Sequence, residues 1–149
     1  MSRVAKIFAV FSSLLCCSVL VSAADQQQAI EQLMKHTWEK SGSVLEVAPI
    51  TVVGSHAVAG WTQGDHGGRA LLKQSATGWR VVMCAGDALL DLATLQDAGV
   101  PIEQAQPLNQ AVLAAEAALT PQRRSQFGLF QGLVRTDGAA AHHAEQPAH

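Results

Sequence analysis

The spacing of apolar positions divides the chain into a leader, one helix, a run of strands and a helical C-terminal half. Ile7 to Val21 is apolar except for serines and stands apart from the rest of the chain. From Asp25 to Lys40, Ile30, Leu33, Met34, Thr37 and Trp38 recur at i, i+3, i+4, i+7 and i+8, the stripe of an amphipathic helix. Glu31 and Lys35 pair four apart on the opposite face, and Ser41-Gly42 ends the helix. Val44–Val53, Ala57–Gln63, Arg69–Gln74 and Trp79–Cys84 are β-rich, with turn signals between them at Gly54-Ser55, Gly64-Asp65-His66-Gly67-Gly68 and Ala76-Thr77-Gly78. Four strands with short connections predict an antiparallel meander. Pro49 has no ladder donor and marks an edge position or a bulge. Regular alternation puts Trp79, Val81 and Met83 on one face of the fourth strand and Arg80, Val82 and Cys84 on the other.

After the strands the period changes. Asp87 has the chemistry of a helix N-cap, its carboxylate accepting the free amides of a first turn. Leu89, Leu92, Ala93 and Gln96 then share a face, and Gly99-Val100-Pro101 stops that helix. Pro101 and Pro107 each suit a first helical position, and Leu108, Ala111, Val112, Ala115 and Leu119 form a further stripe. Thr120-Pro121 opens a short helix to about Phe127, and Leu129–Arg135 reads as a final strand. The expected fold is α+β: an N-terminal helix, a four-stranded antiparallel meander, three C-terminal helices packed on one sheet face, and a last strand. Residues 25–136 form the single domain, and residues 137–149 a low-complexity, histidine-containing tail expected to be disordered.

The leader sets the compartment. Arg3 and Lys6 precede an apolar run of about 15 residues, short of the roughly 20 that a membrane span needs. Small residues at Ser22, Ala23 and Ala24 follow, so residues 1–24 read as a secretory signal peptide and the protein as exported to the periplasm, with no membrane insertion after cleavage. Leu15 before Cys16 excludes a lipoprotein box. Cys16 and Cys17 leave with the signal, and Cys84 remains as the lone thiol of the cleaved chain. Losing Arg3 and Lys6 also leaves eight basic residues against twelve acidic ones, a net charge near −4. No basic cluster remains to attract nucleic acid or an anionic membrane. There is no phosphate-binding loop, dinucleotide fingerprint, nucleophile elbow, CxxC or HExxH, and no paired carboxylates, so the chain reads as non-enzymatic.

Three features carry candidate chemistry. Gly64-Asp65-His66-Gly67-Gly68 holds an imidazole in a glycine-rich turn. As a metal tip it offers His66 as ligand with Asp65 orienting the ring; as an ordinary hairpin tip it needs neither. Cys84 ends a strand just before the expected helix at Asp87, whose dipole favours thiolate and whose Asp87 carboxylate supports the site from behind. The plain alternative is a buried, inert thiol. His142, His143 and His149 lie on the tail. The six residues Asp137–His142 span about 20 Å when extended, enough for His142 and His143 to complete a site begun by His66 or Cys84. Imidazole and thiolate together suit copper, and Cu(I) in particular.

The segments AVAGWTQGDHGGRALL (Ala57–Leu72), WRVVMCAGDAL (Trp79–Leu89), Ala98-Gly99-Val100-Pro101, Ala114-Ala115-Glu116 and Phe127–Gly138 with histidines beyond it resemble the small exported bacterial proteins called copper uptake system-associated proteins. The resemblance implies work beside periplasmic copper chaperones or membrane transporters, and supplies no mechanism. The leading expectation is a copper-binding or copper-uptake accessory protein using His66, Cys84, His142 and His143. The alternative is an interaction module of a periplasmic uptake complex, without tight metal binding, docking through the sheet face that carries Trp61.

Overall fold

The computed structural model describes residues 21–136. The expected signal segment up to residue 20 and the expected disordered tail lie outside the described residues. The first element, α1, is Ala23–Trp38. The Ser22 hydroxyl accepts the Asp25 N–H and the Asp25 carboxylate accepts the Ser22 N–H, both at 3.2 Å, a reciprocal capping box. The helix thus starts two residues before Asp25, and its cap straddles the cleavage point expected after Ala24. The anticipated Glu31–Lys35 pair forms at 2.8 Å, and Ile30 and Met34 are the buried positions of the stripe.

Strands β1 (Leu45–Val53), β2 (His56–Gln63), β3 (His66–Ser75) and β4 (Gly78–Ala85) form the expected meander, and β5 (Leu133–Arg135) adds antiparallel to β4. The turn between β2 and β3 is Gly64-Asp65 alone. Gly64 has φ +58°, the left-handed conformation that glycine adopts without strain, and pairing resumes at once with Gln63 opposite His66. His66, Gly67 and Gly68, expected from sequence in the turn, are therefore strand residues.

Two bulges set which side chains share a face. In β1, Val47 pairs with Trp61 and Ile50 with Ala59, so Ala48-Pro49 holds one extra residue and Pro49 sits at a bulge on an edge strand. In β4, Met83 pairs with Leu71 and Val81 with Leu72, leaving Val82 as the extra residue. The regular alternation expected along β4 is corrected here. Val82 and Met83 both join one core, while Cys84 joins Trp79 and Val81 on the other face.

Each sheet face has its own core. On one, Ile30 and Met34 of α1 pack on Leu45, Val47, Ala57, Ala59, Ala70 and Leu72. On the other, Val58, Leu71 and Met83 meet Leu89 of a 3-10 turn (Asp87–Leu90), Leu95 of α2 (Leu92–Asp97) and Ala105, Leu108 and Val112 of α3 (Ile102–Ala117). Each fully buried Leu, Ile or Met contributes about 1.5–3 kcal/mol. The last helix, α4 (Pro121–Phe127), lies on this second face as well, capped by Thr120, whose hydroxyl accepts the Arg123 N–H at 3.2 Å. The three helices after the meander thus share one face, as expected, and α1 covers the other.

Beyond α1, the helices also differ from expectation at Asp87 and Pro107. Asp87 makes no cap hydrogen bond; the cap of α2 is Asp91, whose carboxylate accepts the Ala93 N–H at 3.3 Å. Pro107 lies inside α3, where it has no N–H to donate to the Glu103 carbonyl one turn back. Among the described residues no helix is long and apolar enough to cross a membrane.

Candidate functional site

The glycine-rich stretches make a seat for the segment that follows α4. A Cβ on Gly60 would lie 2.7 Å from Cζ of Phe127, whose ring is fully buried. A Cβ on Gly67 would strike the Gln126 carbonyl, one on Gly68 would lie 2.9 Å from both Trp61 and Phe130, and one on Gly86 would lie 2.6 Å from the Phe130 carbonyl. Only residues without a side chain admit the chain this closely. The segment from Phe127 passes round the end of the sheet past Gly86. It runs from the helical face, where Phe127 sits, to the α1 face, where Phe130 meets Trp61 edge-to-face at 6.0 Å.

Charge holds the same seat. Arg69 is 2% exposed in the middle of β3. Its Nε and Nη2 donate to the two carboxylate oxygens of Glu116, each at 2.7 Å, and its Nη1 donates to Asp87 at 3.0 Å and to the Phe127 carbonyl at 3.5 Å. Burial acts to lower the Arg69 pKa, but the Glu116 and Asp87 carboxylates outweigh it and the net direction is up. Arg69 and Arg123 approach the Phe127 ring at 5.5 and 5.3 Å from its centroid. Asp87 is therefore an ion-pair partner of Arg69.

The two described members of the sequence-derived ligand set, His66 and Cys84, lie apart. Asp65 and His66 are exposed at the β2–β3 hairpin. His66 and Cys84 share the α1 face of the sheet, but Cys84 pairs with Ala70, four residues along β3 from His66. Four residues of strand span about 13 Å, beyond the reach of two side chains around one ion. Among the described residues no group of three or more His, Cys, Asp and Glu is placed to hold a metal. His142, His143 and His149 lie outside the described residues. The expectation that a helix dipole makes Cys84 a thiolate is corrected: no α-helix starts beside it, and burial pushes its thiol up to about 11.

Cys84 instead opens into a cavity of about 250 Å³ between α1, the sheet and β5. Met34, Trp38, Trp61, Phe130 and Thr136 are among its other lining residues. Trp61, expected on an open docking face, is half-buried in this wall. The Thr136 hydroxyl is engaged by the Val81 carbonyl, and the Gln63 amide donates to the Ser43 and Trp38 carbonyls at 2.9 and 3.2 Å. The lone-pair donors left among the described lining side chains are the Met34 thioether, the Cys84 thiol, the Gln63 amide oxygen and the Thr136 hydroxyl oxygen.

The helical stripe assigns Met34 to the core, where it does lie, and carries no signal that Met34 also bounds a void. Arg69 does carry a signal, since a cation within an apolar strand requires a buried anion. No protein-family model, curated protein or solved structure matches the chain.

Proposed function

We propose that this is an exported, non-enzymatic accessory protein of copper handling, with copper as its cargo and a periplasmic copper chaperone or membrane transporter as its partner. The observation that supports the reading is the cavity under α1, which a thioether and a thiol line together with two tryptophans and, among the described residues, no carboxylate or imidazole. Soft sulfur donors favour copper over the hard cations of an extracellular medium. His66 stays outside that cavity at the hairpin end of β3. The test is the copper content of the exported protein recovered from the periplasm of copper-fed cells. About one equivalent per chain is expected. A metal-free protein, together with unchanged copper accumulation in cells lacking it, would overturn the proposal.

A second reading rests on a different observation. Leu133 and Val134 of β5 are 44% and 50% exposed, and among the described residues β5 is one of the two edge strands of the sheet. An edge strand with open backbone donors accepts a further strand from a partner protein. Under that reading a pull-down partner is lost on Val134→Lys and retained on Cys84→Ser.

A further inference from the structure

We propose that Met34 and Cys84 form a two-sulfur site for a soft monovalent cation, Cu(I) or Ag(I), inside the cavity between α1 and the sheet. The placement comes from two unrelated parts of the chain. Met34 is on the buried stripe of α1 and only 2% exposed, yet it lines the cavity. Cys84 reaches the same cavity because the bulge at Val82 turns it towards α1 and away from the α2–α3 core.

The donor chemistry narrows the ion. A thioether is a useful ligand only to a soft metal, and thiolate prefers the same ions. Charge narrows it further. One cation of charge +1 with one thiolate is neutral, whereas a divalent ion would leave an uncompensated positive charge against mostly apolar walls. Trp38 and Trp61 line the same cavity and bring aromatic side chains next to the two sulfurs. Binding breaks the Cys84 S–H bond and forms a sulfur–metal bond. The proton leaves to solvent, no electron is transferred, and the Met34 sulfur contributes a lone pair. The choice of copper as the cellular ion rests on the function proposed above; the site itself does not.

The experiment uses the full-length chain with Cys16 and Cys17 changed to serine and His142 and His143 to alanine, so that neither the leader thiols nor the tail imidazoles compete. Ag(I) is titrated against a competing chelator while tryptophan fluorescence and proton release are followed. One ion bound and one proton released per chain are expected, with no response to Zn(II). Cys84→Ser should abolish binding. Met34→Leu, which conserves core volume, should weaken it about tenfold or more with an unchanged melting temperature. If Cys84→Ser fails to fold, Met34→Leu decides. Wild-type affinity in Met34→Leu, or Zn(II) bound as tightly as Ag(I), overturns the site. Tight Ag(I) binding by a protein that carries no copper when recovered from cells would sink the copper-handling role and leave the site standing. Copper recovered with Met34→Leu and Cys84→Ser intact would do the reverse.

Discussion

The Arg69–Glu116 pair offers the sharpest test of what holds the C-terminal segment in place. Both side chains are almost wholly removed from water, at 2% and 6% exposure, and they meet through two parallel hydrogen bonds of 2.7 Å. Glu116→Leu leaves the Arg69 cation inside the fold with Asp87 as its one carboxylate partner among the described residues. Asp87 is 76% exposed, so water screens it and its pairing with Arg69 is worth little. Breaking one side of a buried pair costs about 3–5 kcal/mol, a large share of the ~5–15 kcal/mol by which a domain is usually stable. Urea unfolding followed by tryptophan fluorescence reads this directly. With a slope of about 1–3 kcal/mol/M, the Glu116→Leu midpoint should fall by roughly 2 M. The double variant Arg69→Met/Glu116→Leu removes both charges and keeps apolar volume, and should recover most of the loss. A loss below about 1 kcal/mol in Glu116→Leu, or a double variant no better than the single one, would refute the account.

Other substitutions probe the remaining parts. Gly60→Ala places its Cβ 2.7 Å from a Phe127 ring hemmed in by two guanidinium groups, and should cost about 1–3 kcal/mol in urea unfolding. Gly64→Ala meets nothing within 4 Å and should cost only the roughly 1–2 kcal/mol of a left-handed alanine. Asp91→Ala should remove about 1 kcal/mol as a lost helix cap, whereas Asp87→Ala should cost less, because its carboxylate caps nothing. The Cys84 thiol is raised from 9.0 to about 11, so the native state keeps its proton where the unfolded chain has lost it. Stability from this group is full below pH ~9 and falls as pH rises towards ~11, by roughly 2–3 kcal/mol in all. In the Cys16→Ser/Cys17→Ser chain, Cys84→Ser should abolish that alkaline decline, and an identical decline in both proteins would show that the thiol is not its source.

The elements are legible because their periods differ: 3.6 in α1, 2 in the meander, 3.6 again after it. Insertions of a single residue are harder to see. In LEVAPITVV the apolar positions facing α1 are 45, 47, 50 and 52, so the alternation slips by one at Ala48-Pro49. The slip in β4 leaves no such trace, because Val81, Val82 and Met83 are all apolar and either face accepts them. That ambiguity decides the surroundings of Cys84, since its facing depends on the register. The two aspartates of the Gly86–Asp91 stretch are hard to tell apart for a similar reason. Both have capping chemistry, and only the position of Arg69 in space assigns Asp87 to an ion pair.

The glycines of GWTQGDHGGRALL read in isolation as freedom for His66 to project, and in the fold they are room for the Phe127–Phe130 segment to approach. Eight residues from four separate parts of the chain act together on that segment. Gly60, Gly67, Gly68, Arg69, Gly86, Asp87, Glu116 and Phe127 all touch it, hold it or belong to it. Trp61, Cys84 and Phe130 do something else, because they reach the cavity on the far side of the sheet. The two sets are mechanically linked. Phe130 is a wall of the cavity, and it stands there because the chain behind it is clamped at Phe127 and threaded past Gly86. Loosening the clamp must therefore open the cavity. Glu116→Leu, made on the helical face, should expose Cys84 to thiol reagents on the opposite face of the sheet, and faster alkylation of Cys84 in that variant, without denaturant at mildly alkaline pH, would measure the coupling. Unchanged reactivity would mean that Trp61 and β5 hold Phe130 without help from the buried ion pair.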